Sequence, residues 1–399
     1  MVLDQAFSLL LVALAVALLP GLSRLLRLPP PVVEILFGVV LGKSLLQLEF
    51  SGEWLSFLAH LGFLFLMFHS GMEIDFGMLR KQSWKQILFQ ALIFAATLGL
   101  ALLAALYLDR GVFIALVLAT TSLGLVMPSL RQTGLSRTPF GQNVLIAASL
   151  ADFLTLLGIT FFVLWSEHGL SWRFVYPLPL FLGFGVLLWA GRLWAWWHPE
   201  KAERLLASGS DTLEIGVRLS LALLFLLVAL SELVHIEPVL GAFMGGCVLS
   251  YVLREKEALE NKISALGFGF LIPIFFIHIG MQFDLRNVLS PDRLLFTLEL
   301  LLLAFAVKVL PSLLFVLRRY SLRRALQSGI ILSSRLSLIV AAATIGVQRG
   351  FIGVEIKDSV ILLALFTCLL GPTLFKASLG PEEQKLGGPA GRPRGQGSA

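Results

Sequence analysis

Apolar residues in this chain come in long unbroken runs, not in stripes. Runs of roughly 20 residues recur from end to end. As helices, each is long enough to cross a hydrocarbon layer of ~30 Å. Short segments rich in Arg, Lys, Asp, Glu, Gly and Pro separate them. The pattern predicts thirteen helices, at about 6–25, 31–48, 54–73, 84–107, 112–130, 140–165, 174–197, 214–234, 238–253, 262–282, 292–317, 325–347 and 355–376. This is the pattern of an all-α polytopic membrane protein.

Two phrases recur in these helices. FHSGMEIDF (68–76) returns as IHIGMQFDL (277–285), with His69/His278, Gly71/Gly280, Met72/Met281 and Asp75/Asp284 in register. PVVEILFGVVL (31–41) returns as PVLGAFMGGCV (238–248), at nearly the same offset of about 208 residues. Helices 1–6 therefore resemble helices 8–13, with helix 7 as a linker. Repeat one covers about 6–165, the linker 174–197 and repeat two 214–376, within a membrane domain 1–376. An odd number of helices separates the copies, so the repeats are inverted. Inverted repeats are the architecture of many secondary transporters, with the substrate site near the midplane. The bland reading is that the phrase is only a convenient helix-end signal.

Charge supplies the orientation. With the N-terminus outside, 22 of the 31 Lys and Arg fall on the cytoplasmic side, 7 on the outer side and 2 inside helices. Basic loops stay in the cytoplasm, so the C-terminus is expected there too. Trp54, Trp84, Trp165, Trp172, Trp189, Trp194, Trp196 and Trp197 all lie near helix ends, where an interfacial belt belongs. With 57% hydrophobic and 14% charged residues, no soluble domain is indicated. The N-terminus lacks the basic stretch and cleavage site of a signal peptide. Cys247 and Cys368 sit inside apolar runs and suggest neither disulfide nor metal site. Residues 377–399, rich in Gly, Pro and charge, read as a disordered cytoplasmic tail.

Charge at the midplane needs a reason. Glu34 in helix 2, Asp152 in helix 6, Lys308 in helix 11 and Arg335 in helix 12 all lie near mid-span, and their formal charges cancel. They read as an ion-transport site or as structural ion pairs. Helix 5 adds oxygen: Thr120, Thr121, Ser122, Gly124 and Pro128 cluster mid-span. Pro128 removes a backbone donor and frees the Gly124 carbonyl. A broken membrane helix can offer such carbonyls, with hydroxyls beside them, to a small cation. The alternative is an ordinary proline kink.

Taken together, LPPPVVEILFGVVLG (28–42), FHSGMEID (68–75), ATTSLG (119–124), ASLADF (148–153), PVLGAFMGG (238–246), PIFFIHIGMQFDL (273–285) and SSRLSL (333–338) resemble the bacterial monovalent cation:proton antiporters. The branch is that of the NapA-type sodium/proton and Kef-type potassium/proton exchangers, over nearly all of residues 6–376. The resemblance implies a NapA/NhaA-like fold with a dimerisation half, a mobile core half and two crossed interrupted helices, here 5 and 12. It implies a homodimer in the bacterial inner membrane and no cofactor beyond the transported Na+ or K+ and H+. The family's ion-binding aspartate falls on Asp152, with Thr120, Thr121, Ser122, Gly124 and Ser149 around it. Lys308 matches a helix 11 lysine that pairs with a preceding aspartate in electrogenic relatives. That aspartate is Ala151 here, so Lys308 is expected to face Asp152 or to hold the empty position closed. Ser334, Arg335 and Glu34 are supporting candidates. SSRLSL has no Gly or Pro at its midpoint, which puts the interruption of helix 12 in doubt. With only residues 377–399 after the last helix, Kef-type gating by a nucleotide-binding domain is not expected unless a separate partner supplies it.

Competition of proton and cation for Asp152, with the empty anionic site unable to cross, would make exchange obligatory. It would be one cation for one proton, or for two protons if Lys308 also yields one. His69 and His278 read as packing residues or as pH sensors. Arg318, Arg319, Arg323 and Arg324 form a basic cytoplasmic loop, a topology anchor or an anionic-lipid site. Nucleic-acid binding finds no support, and no nucleophile, metal or phosphate motif indicates an enzyme. The competing readings are a sodium-coupled organic-anion symporter of the bile-acid type and a non-transporting membrane sensor.

Overall fold

The computed structural model describes all residues except 1, 4, 27, 51–52, 75, 78–82, 137, 170–176, 198–213, 235, 253–256, 286–289 and 381–399. Asp75 of the repeated phrase and the tail beyond 380 thus lie outside the described residues. The helices are α1 Gln5–Leu26, α2 Pro30–Leu41, α3 Trp54–Met72, α4 Trp84–Tyr107, α5a Val112–Ala119, α5b Leu123–Gln132, α6 Pro139–His168, α7 Pro177–Trp197, α8 Ile215–Leu233 and α9 Pro238–Val252. They continue as α10a Glu257–Leu266, α10b Ile272–Gln282, α11 Pro291–Ser312, α12a Leu322–Leu332, α12b Ser337–Gln348 and α13 Val354–Ser378. A π-helical turn, Gly267–Leu271, joins α10a to α10b. A single short pairing, Val2–Leu3 parallel to Glu49–Phe50, is the strand content among the described residues.

By length and apolarity nine of these helices can span a membrane, ten if α12a and α12b count as one bent span. Three shorter apolar helices, α2, Leu182–Leu193 within α7, and α9, complete the thirteen. Prolines mark several starts: Pro30, Pro139, Pro177, Pro238 and Pro291 each open a helix, where the missing N–H costs nothing and φ is preset. Helix 2 stops at Leu41, short of the expected 48. Gly42 there lies so close to Met281 that a side chain would overlap its backbone.

The chain divides into two compact units that cut across the sequence order. The first is Met1–Gln82, Leu156–Leu294 and Val354–Asp358, and the second is Ser83–Thr155, Leu295–Gly353 and Ser359–Ala399. Each draws helices from both predicted repeats.

In the first unit α2 packs on α10b, and α3 packs on α9. Both crossings are built from glycine. A Cβ on Gly280 would overlap the Ile35 carbonyl and lie 2.9 Å from Gly38 Cα; one on Gly38 would overlap the Ile277 carbonyl and lie 2.9 Å from Gly280 Cα. The other crossing repeats this: a Cβ on Gly71 would overlap the Phe243 carbonyl, and one on Gly246 the Phe68 carbonyl. The repeated phrase therefore encodes one close backbone crossing, made twice, each time between helices of different repeats. Its histidines also act alike. His69 meets Glu73 at 3.6 Å and the Ser264 hydroxyl at 2.8 Å. His278 accepts from the Gln282 amide at 2.8 Å. Each faces a polar side chain one helical turn on, at i+4.

The second unit holds α4, both halves of α5, α6 through Thr155, α11 from Leu295, both halves of α12, and α13 from Ser359. At one end Ile93, Phe315 and Ala325 form a small core with Phe89 and Tyr320 packed on it. Asn143 donates to the Tyr320 hydroxyl at 2.6 Å.

Candidate functional site

Two broken helices lie in the second unit. Helix 5 breaks at Thr120–Ser122, where the backbone turns extended (Thr120 ψ 156°, Ser122 φ −143°). Ser and Thr hydroxyls compete with the backbone for helical hydrogen bonds. Thr120 Oγ1 does so, donating to the Val117 carbonyl at 2.7 Å. The break leaves a carbonyl end on α5a and an N–H end on α5b, both buried, and such groups need partners. The Gly124 carbonyl that Pro128 was expected to free is not where the chain parts. Pro128 lies inside α5b, and Gly124 is exposed in its first turn.

Charged side chains from other helices meet these two ends. Asp152 of α6 accepts from the Leu123 N–H at 3.1 Å, on the first residue of α5b. Lys308 of α11 donates to the Ala119 carbonyl and to Thr121 Oγ1, each at 2.6 Å, at the last turn of α5a. The helix dipole makes this pairing favourable, because a helix N-terminus attracts an anion and a C-terminus a cation. Both side chains are buried.

Helix 12 is interrupted too, between Leu332 and Ser337, with a bend of 47°. No Gly or Pro causes it. Ser333 donates back to the Gly329 carbonyl at 2.8 Å, and Arg335 Nη2 donates across to the Ala304 carbonyl of α11 at 2.7 Å. Ser334 is accommodated because Gly371 of α13 has no side chain; a Cβ there would overlap its hydroxyl. The two breaks touch where the hydroxyls of Ser122 and Ser337 stand 3.3 Å apart.

The second unit thus brings together Thr120, Thr121, Ser122, Asp152, Lys308, Ser334 and Arg335, all buried. Ser149 lies buried on α6 one turn before Asp152. Glu34 is buried on α2, in the first unit. Sequence reasoning missed the Leu123 N–H and the Ala119 and Ala304 carbonyls, because backbone groups carry no residue signature. It also missed Ser337 and Thr155, whose buried hydroxyl has no hydrogen-bond partner among the described residues. Nor do Arg335 Nε and Nη1 or Ser334 Oγ. Among the described residues no group of three His, Cys, Asp or Glu stands together. A cation here would meet one carboxylate plus neutral hydroxyl and carbonyl oxygens, donors that suit a hard ion of low charge.

The sequence model of one protein family, described as "Sodium/hydrogen exchanger, transmembrane", matches residues 10–379. The chain is 34% identical over 399 residues to YjbQ of Bacillus subtilis (strain 168), whose name places it among Na(+)/H(+) antiporters. That match covers 94% of this chain but 64% of YjbQ. It is 27% identical over 371 residues to a Methanocaldococcus jannaschii protein named as Na(+)/H(+) antiporter 3, covering 90% of this chain and 92% of that one. Among solved structures, the sodium proton antiporter MjNhaP1 from Methanocaldococcus jannaschii superposes with a TM-score of 0.67 at 15% identity, over 96% of this chain and 97% of that one. The two chains share their fold over nearly their whole length.

Proposed function

The chain belongs to the transmembrane sodium/hydrogen exchanger family, and on that premise we propose that it exchanges a monovalent cation, Na+ or K+, for protons across the membrane. Asp152 is the shared binding group. One carboxylate can hold either a proton or a cation, and the hydroxyls of Ser122 and Ser149, which Lys308 does not occupy, complete the cation's shell. When Asp152 is empty, its charge stays against the α5b N-terminus, in a medium where an unneutralised charge is costly to move. Crossing then requires a loaded site, and exchange becomes obligatory.

Lys308 holds the other end of the break. It occupies the carbonyl end of α5a, so that end remains neutralised while Asp152 changes occupant. With Asp152 alone changing occupant, one cation moves per proton and no net charge crosses. The second unit carries the site between the two sides of the membrane. The homologues are bacterial and archaeal transporters by name, which supports a cytoplasmic-membrane protein, placed with its C-terminus inside by the Lys/Arg bias. A homodimer completes the reading.

The observation that carries this proposal is the bond from the Leu123 N–H to Asp152 at a break in a membrane helix. Proteoliposomes with an acid interior and a pH-sensitive dye test it. Sodium or potassium should alkalinise the interior, choline should not, and Asp152→Asn should abolish the response. A cation response that survives in Asp152→Asn overturns the site, and no response to any alkali cation across pH 6 to 9 overturns the activity. A pump current on solid-supported membranes under a sodium gradient would refute one-for-one exchange.

A further inference from the structure

One end of the second unit is basic among its described residues. Residues 83–90, 129–143, 313–329 and 371–380 contain eight Lys and Arg and no Asp or Glu. Contacts tie these segments into one face. Arg318 Nη2 donates to the Lys85 carbonyl at 2.8 Å and its guanidinium lies 4.7 Å over Phe89. Arg323 Nε donates to the Ser378 carbonyl at 3.1 Å, Lys376 to Gln132 at 2.7 Å, and Arg324 lies 4.7 Å over Phe140.

Arg319 differs from these. It is exposed, and its side chain makes no hydrogen bond or ion pair with any described residue. Its backbone is left-handed, φ 63° and ψ 21°, at the end of the 3-10 turn that follows α11. That conformation disfavours every residue except glycine and, less severely, Asn and Asp. The position is a helix C-terminus of the kind where glycine is the usual choice. Topological bias accounts for a basic loop. Among the described non-glycine residues at positive φ, which are Gln47, Asp109, Glu214 and Arg319, the last is the one cation, and a cation in that conformation points to a task for its side chain.

Immediately beside this cation the surface is apolar. Leu317 is 72% exposed, Leu322 61% and Trp84 75%. Leu317 and Leu322 flank Arg319 in sequence, and Trp84 precedes Lys85. A soluble acidic partner would satisfy the charges and leave these side chains uncovered. A phospholipid satisfies both layers. We propose that Arg319, Arg318 and Lys85 form a headgroup site for an anionic phospholipid, with acyl chains lying along Leu317, Leu322 and Trp84. The Phe89, Phe315 and Tyr320 rings, packed edge to face, hold the loop in place, so the site is preorganised. The proposal rests on the chain being in a membrane and is independent of the exchange reading.

Arginine 319 also permits a clean test, because Arg319→Gly removes the charge while relieving the backbone. The full chain, purified in a neutral detergent, is titrated with phosphatidylglycerol or with phosphatidylcholine, and its thermal midpoint is followed. Glycerophosphoglycerol, the soluble headgroup, is the third arm. Phosphatidylglycerol should raise the midpoint more than phosphatidylcholine does, and the soluble headgroup should do little. Arg319→Gly should leave the midpoint in phosphatidylcholine unchanged or higher, and need about fivefold more phosphatidylglycerol for the same rise. Arg319→Lys should keep most of the response. An undiminished phosphatidylglycerol response in Arg319→Gly, or equal stabilisation by phosphatidylcholine, overturns the proposal. Stabilisation by the soluble headgroup alone overturns the lipid and leaves a plain phosphate site.

Discussion

Gly280→Ala sets local propensity against packing, with opposite signs. In an isolated helix the change would stabilise by up to ~1 kcal/mol, since alanine is the better helix former. In α10b the new Cβ would overlap the Ile35 carbonyl and stand 2.9 Å from Gly38 Cα. Carbon atoms need about 3.5–4.0 Å, so α2 and α10b must separate by several tenths of an ångström or more. The obstacles are backbone atoms, which cannot rotate away. Overpacking of this kind costs about 1–3 kcal/mol and occasionally more. The net expectation is a loss of about 2 kcal/mol, read as a lower thermal midpoint in micelles by tryptophan fluorescence. Gly99→Ala is the control: Gly99 is exposed in the interior of α4 with nothing within 4 Å of its would-be Cβ, so this variant should hold or raise the midpoint. Gly38→Ala should behave like Gly280→Ala. The double variant should cost less than the sum by ~0.5 kcal/mol or more, because the first change already parts the helices. If Gly280→Ala is as stable as the parent chain, the close crossing is not what the repeated phrase encodes.

Lys308→Ala removes two hydrogen bonds at a buried helix end and should cost ~3 kcal/mol, whereas Asp152→Asn can still accept from the Leu123 N–H and should remain folded; equal midpoints for the two variants would contradict the division of roles at the break. Gly371→Ala crowds Ser334 at the break of α12, so it should lower cation exchange more than thermal stability, and unchanged transport would detach that break from function. Replacing His69 and His278 together by Gln should leave the pH profile of exchange in place, because both rings already have hydrogen-bond partners, Ser264 and Gln282; a displaced midpoint would restore them as sensors.

Much of this was legible along the chain. Lipid rejects exposed backbone and charge, so the membrane class and the ten long apolar spans among the described residues follow from apolar run length alone. Asp152 and Lys308 stand out because a charge inside such a run is expensive. The phrase at His69 and His278 announced the repeat, since the same crossing demands the same glycines wherever it is made. The basic loop at Arg318 and Arg319 announced itself by charge, but not the left-handed φ that sets Arg319 apart.

Where helices 5 and 12 part was not legible. Apolar run length registers only the change from water to lipid, and both halves of a broken helix lie in the same apolar run. Proline is the breaking signal a sequence offers, yet helix 5 parts at Thr120–Ser122 and carries Pro128 inside α5b, while helix 12 parts with neither Gly nor Pro at its break. In both cases the new helix ends are stabilised from a distance. Asp152 reaches Leu123 across 29 residues, Lys308 reaches Ala119 across 189, and Arg335 reaches Ala304 across 31. The same limit applies to Glu34, which the charge count grouped with Asp152 and the fold places in the other unit. A residue's type and depth are properties of the chain. Which backbone ends become free, and which charges are near enough to meet them, exist only once the helices have packed.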